Sequence, residues 1–181
     1  MSVTPNHYRE EQKQVSRESL RTALFILMQQ ESFDAISISA ICKRAGISRT
    51  GFYRNYNTKE EVLIDYFDHY ISPFYDRLNQ LPDKEPQGVS QAYFEFVDQH
   101  SELLEVLVRS GAESILLARF TYFVSRFYSE NVRAIPFTGD YAHYWNSFLS
   151  AGLYNMTIEW IASGKQAPIA TLVEISVRVG G

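Results

Sequence analysis

The sequence has few of the features that mark secreted, membrane-spanning or metal-binding proteins. It contains a single cysteine, Cys42, among 181 residues, which excludes an internal disulfide and any site built from several cysteines. The N-terminus is polar, so no secretory signal is expected. No run of about 18 apolar residues predicts a membrane span. The chain is therefore expected in the cytoplasm, without a membrane partner.

Motifs for catalysis and for cofactor binding are also missing. The four histidines, His7, His69, His100 and His143, show no metal-ligand spacing. The sequence has no Gly-rich phosphate loop and no G-x-S-x-G turn. These absences predict a protein that is not an enzyme and that holds neither a metal nor a cofactor.

Acidic residues are missing from one long stretch. No Asp or Glu lies between Asp34 and Glu60, and Ser37–Lys59 contains five Lys or Arg residues. Residues 1–61 carry nine basic against seven acidic residues, a net charge of +2, whereas residues 62–181 carry eight against fourteen, a net charge of −6. A basic segment attached to an acidic remainder is typical of a polyanion-binding module joined to a part that does not touch the polyanion.

Hydrophobic spacing predicts helices along the whole chain, and no segment shows the alternation of a β-strand. Leu20, Leu24 and Leu27 lie on one stripe of a first helix over residues 16–30. Residues 1–15 are polar and are interpreted as a mobile arm.

Two short helices are predicted within the basic stretch. Ser37 or Ser39 can cap the first, and Gly46 can end it in a tight turn. Ser48 can cap the second, with Phe52 directed inward. Two helices joined in this way form a helix-turn-helix. The side chains left for the outer surface suit base edges and phosphates: Arg49, Thr50, Gly51, Tyr53, Arg54 and Asn55.

A fourth helix is predicted to open at a capping box, Thr58 to Glu61. Lys59 lies in its first turn, where a cation opposes the helix dipole. A phosphate bound at this helix N-terminus would give the lysine a function. Lys59 is therefore predicted to contact a phosphate.

The C-terminal part is predicted to contain only helices and many aromatic residues. After a linker at residues 81–88, helices are expected near 89–99, 101–109, 112–131, 140–163 and 168–178. The helix Asp140–Ser163 carries two apolar stripes and therefore needs two partners. One partner can be a second subunit, or the helix can be the fully buried centre of its own domain.

Aromatic residues of this part could line a ligand pocket, although each is more readily explained as ordinary core. The candidates are Tyr93, Phe96, His100, Phe120, Phe123, Phe127, Tyr144 and Phe148. Arg119 and Arg126 share one helix face, where they could neutralise an anionic effector or form a solvated surface.

The segment Ala45–Val62, AGISRTGFYRNYNTKEEV, resembles the TetR family of bacterial transcriptional regulators. The likeness extends over about residues 16–66, and the C-terminal region weakly resembles a Firmicutes-type subset. It implies an all-α fold of about nine helices. The DNA-binding domain, residues 1–58, would be a three-helix helix-turn-helix unit, and residues 59–181 would bind an effector and dimerise.

The resemblance also implies a function and assigns roles by position. Arg49, Thr50, Gly51, Arg54 and Asn55 would lie in the major groove, Tyr53 and Lys59 would hold phosphates, and Ser37 and Ser48 would make contacts at helix starts. The protein would be a repressor that binds a palindromic double-stranded DNA operator as a homodimer and responds to an unknown small-molecule effector. Its dimer would form through Asp140–Ser163 and Pro168–Arg178. The alternative, a helical protein-interaction adaptor, explains the aromatic C-terminal part but not the acid-free basic segment.

Overall fold

A computed structural model describes residues 5–82, 84–131 and 139–180. This part of the chain consists of nine α-helices and one 3₁₀ turn, without strands, which confirms the predicted all-α fold. The helices are α1 (Pro5–Met28), α2 (Ile38–Ala45), α3 (Arg49–Tyr53), α4 (Lys59–Asn79), α5 (Pro86–Gln99), α6 (Ser101–Arg109), α7 (Glu113–Asn131), α8 (Asp140–Ala162) and α9 (Ile169–Gly180). The 3₁₀ turn, Phe33–Ala35, lies between α1 and α2. No helix in the described ranges is long and apolar enough to span a membrane.

The chain consists of two compact units. The head unit contains the described residues up to His69 together with Arg109–Ala112, and the body unit contains Tyr70–Val108 and the described residues from Glu113 onward. The helix α4 therefore contributes to both units. The domain boundary predicted after residue 58 lies just before α4 and stays a prediction.

The head unit is built around the apolar stripe of α1. Leu20 and Leu24 are fully buried, as are Ile41 of α2 and Phe52 of α3. Burial of each such side chain contributes about 1.5–3 kcal/mol to the free energy of unfolding. This core fixes the angle between α2 and α3 because both helices pack into it.

The helix α1 begins earlier than predicted, at Pro5 rather than near Ser16. Residues 5–15 are rich in Glu, Gln and Lys, which favour helix, and proline suits a first helical position. The Ser16 hydroxyl donates to the carbonyl of Gln12 at 2.8 Å. The described part of the predicted arm is thus helical.

A cluster of α5, α8 and α9 forms one core of the body unit. Its buried members are Phe94, Val97, Trp160, Ile161, Leu172 and Val173. The indole nitrogen of Trp160 donates to the carbonyl of Ala167 at 2.8 Å, so the buried polar atom is satisfied.

One stripe of α8 remains uncovered within the described chain. Tyr141, Tyr144 and Phe148, spaced three and four residues apart, are 70, 71 and 62% exposed. The fully buried central helix, one of the two interpretations of this segment, does not describe this chain.

Candidate nucleic-acid interface and ligand cavity

Local hydrogen bonds define the helix-turn-helix. The Ser37 hydroxyl accepts from the backbone N–H of Ala40 at 3.1 Å and caps α2. Gly46 ends α2 with a φ of 68°, in the left-handed region that favours glycine. The Ser48 hydroxyl accepts from the N–H of Gly51 at 3.1 Å and caps α3. Both predicted caps and the predicted turn are therefore present.

Gly51 is explained by packing within the head unit. A Cβ added at this position would lie 2.8 Å from Cγ2 of Ile47, closer than two carbon atoms can approach. Since Cγ2 is attached directly to the branched Cβ of Ile47, the contact cannot be relieved by a flexible chain end. Sequence analysis placed Gly51 on the outer surface and did not identify this contact.

The basic surface of α3 faces solvent, while its aromatic anchor is buried. Phe52 is 0% exposed, whereas Tyr53 is 50% exposed. The predicted contact residues that are exposed are Ser37, Ser48, Arg49, Thr50, Tyr53 and Arg54. Lys43 and Arg44 of α2 are exposed as well, which extends the positive surface. This arrangement suits a phosphate backbone next to base edges.

Asn55 departs from its predicted place on the outer surface. Its side-chain Nδ2 donates to the carbonyl of Gly51 at 2.8 Å, and its Oδ1 is buried without a hydrogen-bond partner in the described chain. The reason is that α3 ends at Tyr53. Asn55 therefore lies beyond the helix and its amide caps one of the last carbonyls of α3; its contact with a base stays a prediction.

Lys59 is engaged inside the head unit. Its Nζ donates to the carbonyls of Phe33, Asp34 and Ile36 at 2.7, 3.0 and 3.0 Å. It also lies 4.6 Å from the centroid of the Phe33 ring. An ammonium group has three donors, and all three are used here. These bonds give a second reason for a cation at the start of α4, besides the predicted phosphate contact.

Asp65 of α4 joins three parts of the head unit, and sequence analysis missed it. Its carboxylate accepts from Arg17, pairs with Arg21 at 3.4 Å and accepts from the Tyr56 hydroxyl at 2.5 Å. The guanidinium of Arg17 lies 5.3 Å from the centroid of the Tyr56 ring. The cluster connects α1 and α4 to Tyr56, three residues after the end of α3. The only sequence signal was that Arg17 and Arg21 lie off the apolar stripe of α1.

The charges of this cluster support one another. Burial alone would raise the pKa of Asp65, but hydrogen bonds from Arg17 and Tyr56 and the nearby arginines hold this pKa below its ordinary value. The hydrogen bond to Asp65 likewise raises the pKa of Arg17 against the effect of burial. Both groups are therefore ionised at neutral pH.

A narrow cavity of about 100 Å³ lies inside the body unit. Residues of α4, α5, α7 and α8 form its wall, and the cavity is partly open to solvent. Its lining consists of Ile71, Phe74, Tyr75, Leu78, Val89, Ser90, Tyr93, Phe120, Phe123, Val124, Phe127, Tyr128 and Leu153.

Four of the eight predicted pocket residues meet in this cavity, namely Tyr93, Phe120, Phe123 and Phe127. Phe96 and His100 are not in the lining but belong to an aromatic cluster that adjoins it at Phe74, on which Phe96 stacks with ring centroids 4.3 Å apart. Tyr144 and Phe148 are solvent-exposed residues of the α8 stripe. The structure does not bring these last four residues into the cavity lining.

The described residues hold no group of three or more His, Cys, Asp or Glu side chains placed to bind a metal ion. Cys42 is buried, and burial raises the pKa of its thiol.

Two family models match the chain. Residues 20–66, which include the helix-turn-helix, match the model for bacterial regulatory proteins of the tetR family. Residues 84–179, more than half of the chain, match a model for a transcriptional regulator C-terminal region. The chain belongs to the TetR family. It is a DNA-binding transcriptional regulator, as the resemblance of residues 45–62 predicts.

Individual relatives of this TetR-family chain are distant. An uncharacterised HTH-type transcriptional regulator from Haemophilus influenzae is 24% identical over 142 residues, which cover 74% of this chain and 69% of that protein. A crystal structure from Listeria innocua superposes with a TM-score of 0.74 at 19% identity and covers 97% of this chain and 91% of the other. This likeness shows the fold alone.

Two further solved structures of the same fold have stated functions. The dihydroxyacetone kinase operon activator DhaS has a TM-score of 0.51 at 19% identity and covers 91% of this chain and 93% of its own. FadR of Thermus thermophilus, a TetR family repressor in complex with lauroyl-CoA, has a TM-score of 0.53 at 18% identity, with coverages of 90 and 92%.

Replacement of Lys59 separates its two possible roles in this TetR-family regulator. Lys59→Met should lower the free energy of unfolding by about 1–3 kcal/mol, because three carbonyls lose a charged donor. We expect the slope of log affinity against log salt to stay unchanged, since all three donors of the ammonium group are used inside the head unit. Chemical denaturation and DNA titrations at several salt concentrations measure both quantities. A slope reduced by about one unit with unchanged stability would instead support the predicted phosphate contact.

Proposed function

We propose that this TetR-family regulator is a ligand-responsive repressor, which binds a palindromic double-stranded DNA operator as a homodimer in the cytoplasm. The observation that carries the DNA-binding part is the exposed face of α3. Arg49, Thr50, Tyr53 and Arg54 lie on that face, next to the buried anchor Phe52. No acidic residue lies between Asp34 and Glu60 to oppose the positive surface.

The proposed contacts divide into two kinds. Arg49 and Arg54 would read base edges, since a guanidinium can donate two parallel hydrogen bonds to guanine. Tyr53, Ser37 and Ser48 would bind phosphates through their hydroxyls or the neighbouring backbone N–H groups. Gly51 would allow the backbone of α3 to come close to the groove.

The response to a ligand would depend on α4. This helix contributes residues to the head unit and to the lining of the body cavity. A ligand that fits the cavity better in one position of α4 would shift the population toward that position. The recognition helices of a dimer must lie one DNA turn apart, about 34–36 Å, so a small displacement would lower DNA affinity. The similar fold of FadR, solved in complex with lauroyl-CoA, supports a ligand response. DhaS, of similar fold, is an operon activator, so a reporter assay is needed to distinguish repression from activation.

Selection of bound sequences from a random DNA pool tests the function as a whole. A palindrome should be enriched, because a symmetric dimer reads two half-sites. The absence of any enriched sequence would instead favour the protein-interaction adaptor.

Two arginine replacements test the reading face with the selected operator. Arg49→Ala and Arg54→Ala should each weaken binding by about tenfold or more, which corresponds to the loss of one good base contact of about 1–3 kcal/mol. Arg77→Ala, an exposed arginine of α4 in the body unit, is the matched control and should bind normally. Fluorescence anisotropy measures the affinity and circular dichroism checks the fold. Unchanged affinity for both α3 variants would overturn the assigned face.

A further inference from the structure

The cavity of the body unit restricts the chemistry of what it can hold. None of the thirteen residues that form its described lining is charged, and seven of them are aromatic. Resting on the proposed function, which places the effector here, we propose that the effector is an electrically neutral and mostly apolar molecule, with a single ring or a similarly narrow group at its centre.

The size and shape of the cavity favour a narrow ligand. Its volume, about 100 Å³, is on the scale of one small ring rather than of a large polycyclic molecule. Apolar cavities of about 150 Å³ bind benzene without admitting water. The surrounding rings, among them Phe120, Phe123 and Phe127, can contact a flat ligand edge-to-face or in offset stacks.

Few polar groups are free to orient the ligand. The hydroxyl of Tyr93 is bonded to the hydroxyl of Thr157 at 2.7 Å. The hydroxyl of Tyr75 donates to the carboxylate of Glu130 at 2.7 Å. The hydroxyls of Ser90 and Tyr128 are the remaining polar side-chain groups of the described lining. They suit one hydroxyl or carbonyl group on the ligand.

The nearest arginines have other partners. Arg126 pairs with Glu130 at 2.8 Å and lies 4.6 Å from the centroid of the Tyr75 ring, outside the lining. The guanidinium of Arg119 lies 4.4 Å from the centroid of the Tyr122 ring and 4.8 Å from that of the lining residue Phe123, and Arg119 is also outside the lining. An anionic effector, which the spacing of these arginines suggested, would find no cation within the described lining itself. An unpaired charge in apolar surroundings is strongly disfavoured.

A cationic ligand is the stronger rival, because aromatic rings attract cations. A buried cation also needs a carboxylate to offset the loss of water, and the described lining offers none. Glu130, whose carboxylate is bonded to the lining residue Tyr75, is already paired with Arg126. A neutral ligand avoids this cost.

Three single-ring probes of similar size, which differ chiefly in charge, test the inference on the full chain: benzyl alcohol, benzoate and benzylammonium. Each is titrated while the thermal unfolding midpoint is followed, since a ligand that binds only the folded state raises this midpoint. The alcohol should bind at least about tenfold more tightly than either ion, a difference of about 1.4 kcal/mol. Equal or tighter binding of an ion, or no binding of the alcohol, would overturn the neutral class.

A matched pair of variants locates the binding. Leu153→Phe adds a ring to the lining and should weaken binding of the alcohol by about tenfold or more. Leu104→Phe places the same change against the core cluster of α5, α8 and α9 and should leave it unchanged. Equal losses in both variants would show that the probe binds elsewhere and would overturn the assignment to this cavity.

DNA release is measured separately, so the two proposals can fail independently. If the alcohol binds in the cavity but leaves the selected operator bound at saturation, the neutral class stands and the ligand-responsive function fails. If instead an ionic probe releases the operator and the alcohol does not, the function stands and the neutral class is wrong.

Discussion

Replacing Asp65 with alanine should lower the free energy of unfolding of the head unit by about 2–3 kcal/mol. The carboxylate is the common acceptor for Arg17 and Tyr56 and pairs with Arg21 at 3.4 Å. Its removal leaves two arginines close together and a phenol without its acceptor. Breaking a fully buried pair costs about 3–5 kcal/mol. The lower value is expected because the Arg17 side chain is 30% exposed and water can reach it.

The same replacement should weaken DNA binding, because Tyr56 lies three residues after the end of α3 and packs against its anchor. The Tyr56 ring lies against Phe52, the buried anchor of α3, with centroids 6.1 Å apart. Loss of the Asp65 bond frees this ring and with it the end of α3. Asp76→Ala, a change of an exposed aspartate on the same helix, is the control and should alter neither stability nor affinity. Urea denaturation and operator titration measure the two effects.

The pH dependence of stability gives an independent check on Asp65. Its pKa in the folded state is lowered below its ordinary value of 3.8. A lowered pKa stabilises the fold above that ordinary value, and this contribution is lost as the pH falls through the folded-state pKa. The stability difference between the natural chain and Asp65→Ala should therefore be full at pH 7 and shrink below about pH 4. A stability difference that stayed constant down to low pH would show that Asp65 stabilises the head unit without the charge of its carboxylate.

The sequence predicts those features that depend on residues close together in the chain. Caps at Ser37 and Ser48 and the turn at Gly46 each depend on a few neighbouring residues, and all are present. The helices α6 and α8 begin at the predicted residues because Ser101 and Asp140 each precede a clear apolar pattern. Local chemistry was sufficient in these cases.

The roles of individual charged residues depend on contacts between distant residues. Arg17 and Asp65 are 48 residues apart in the chain, and Lys59 bonds to carbonyls 23–26 residues before it. No spacing rule relates such positions. For Asn55 the difficulty was local: its place depends on α3 ending at Tyr53, and helix ends vary by one or two residues.

For the aromatic residues of the body unit, spacing predicts which of them share a helix face but not what that face contacts. Phe120, Phe123 and Phe127 share one face of α7 through their spacing, and all three line the cavity. Tyr144 and Phe148 of α8 have the same spacing but lie on the uncovered stripe. Spacing shows which residues share a face, while the partner of that face is decided by packing across the whole unit.

Replacing Phe148 with glutamate should convert the proposed homodimer to a monomer. Tyr141, Tyr144 and Phe148 form an exposed aromatic stripe on α8, and Ile175 and Val179 are exposed on α9, 45 and 53% respectively. Large exposed apolar surfaces on a folded protein mark interaction sites. In a symmetric dimer each replacement would place two carboxylates at an apolar interface, where an unpaired charge is strongly disfavoured.

The loss of the dimer should reduce affinity for the palindromic operator by about 100-fold or more, because two linked half-site contacts become one. Affinity for a single half-site should be unchanged, since the face of α3 is untouched. Tyr122→Glu changes an exposed aromatic residue of α7, 48% exposed, and is the matched control that should remain dimeric. Sedimentation equilibrium at micromolar concentration gives the oligomeric state of both variants, and titration of whole and half operators gives their affinities. A Phe148→Glu protein that still sedimented as a dimer would place the subunit interface away from this stripe of α8.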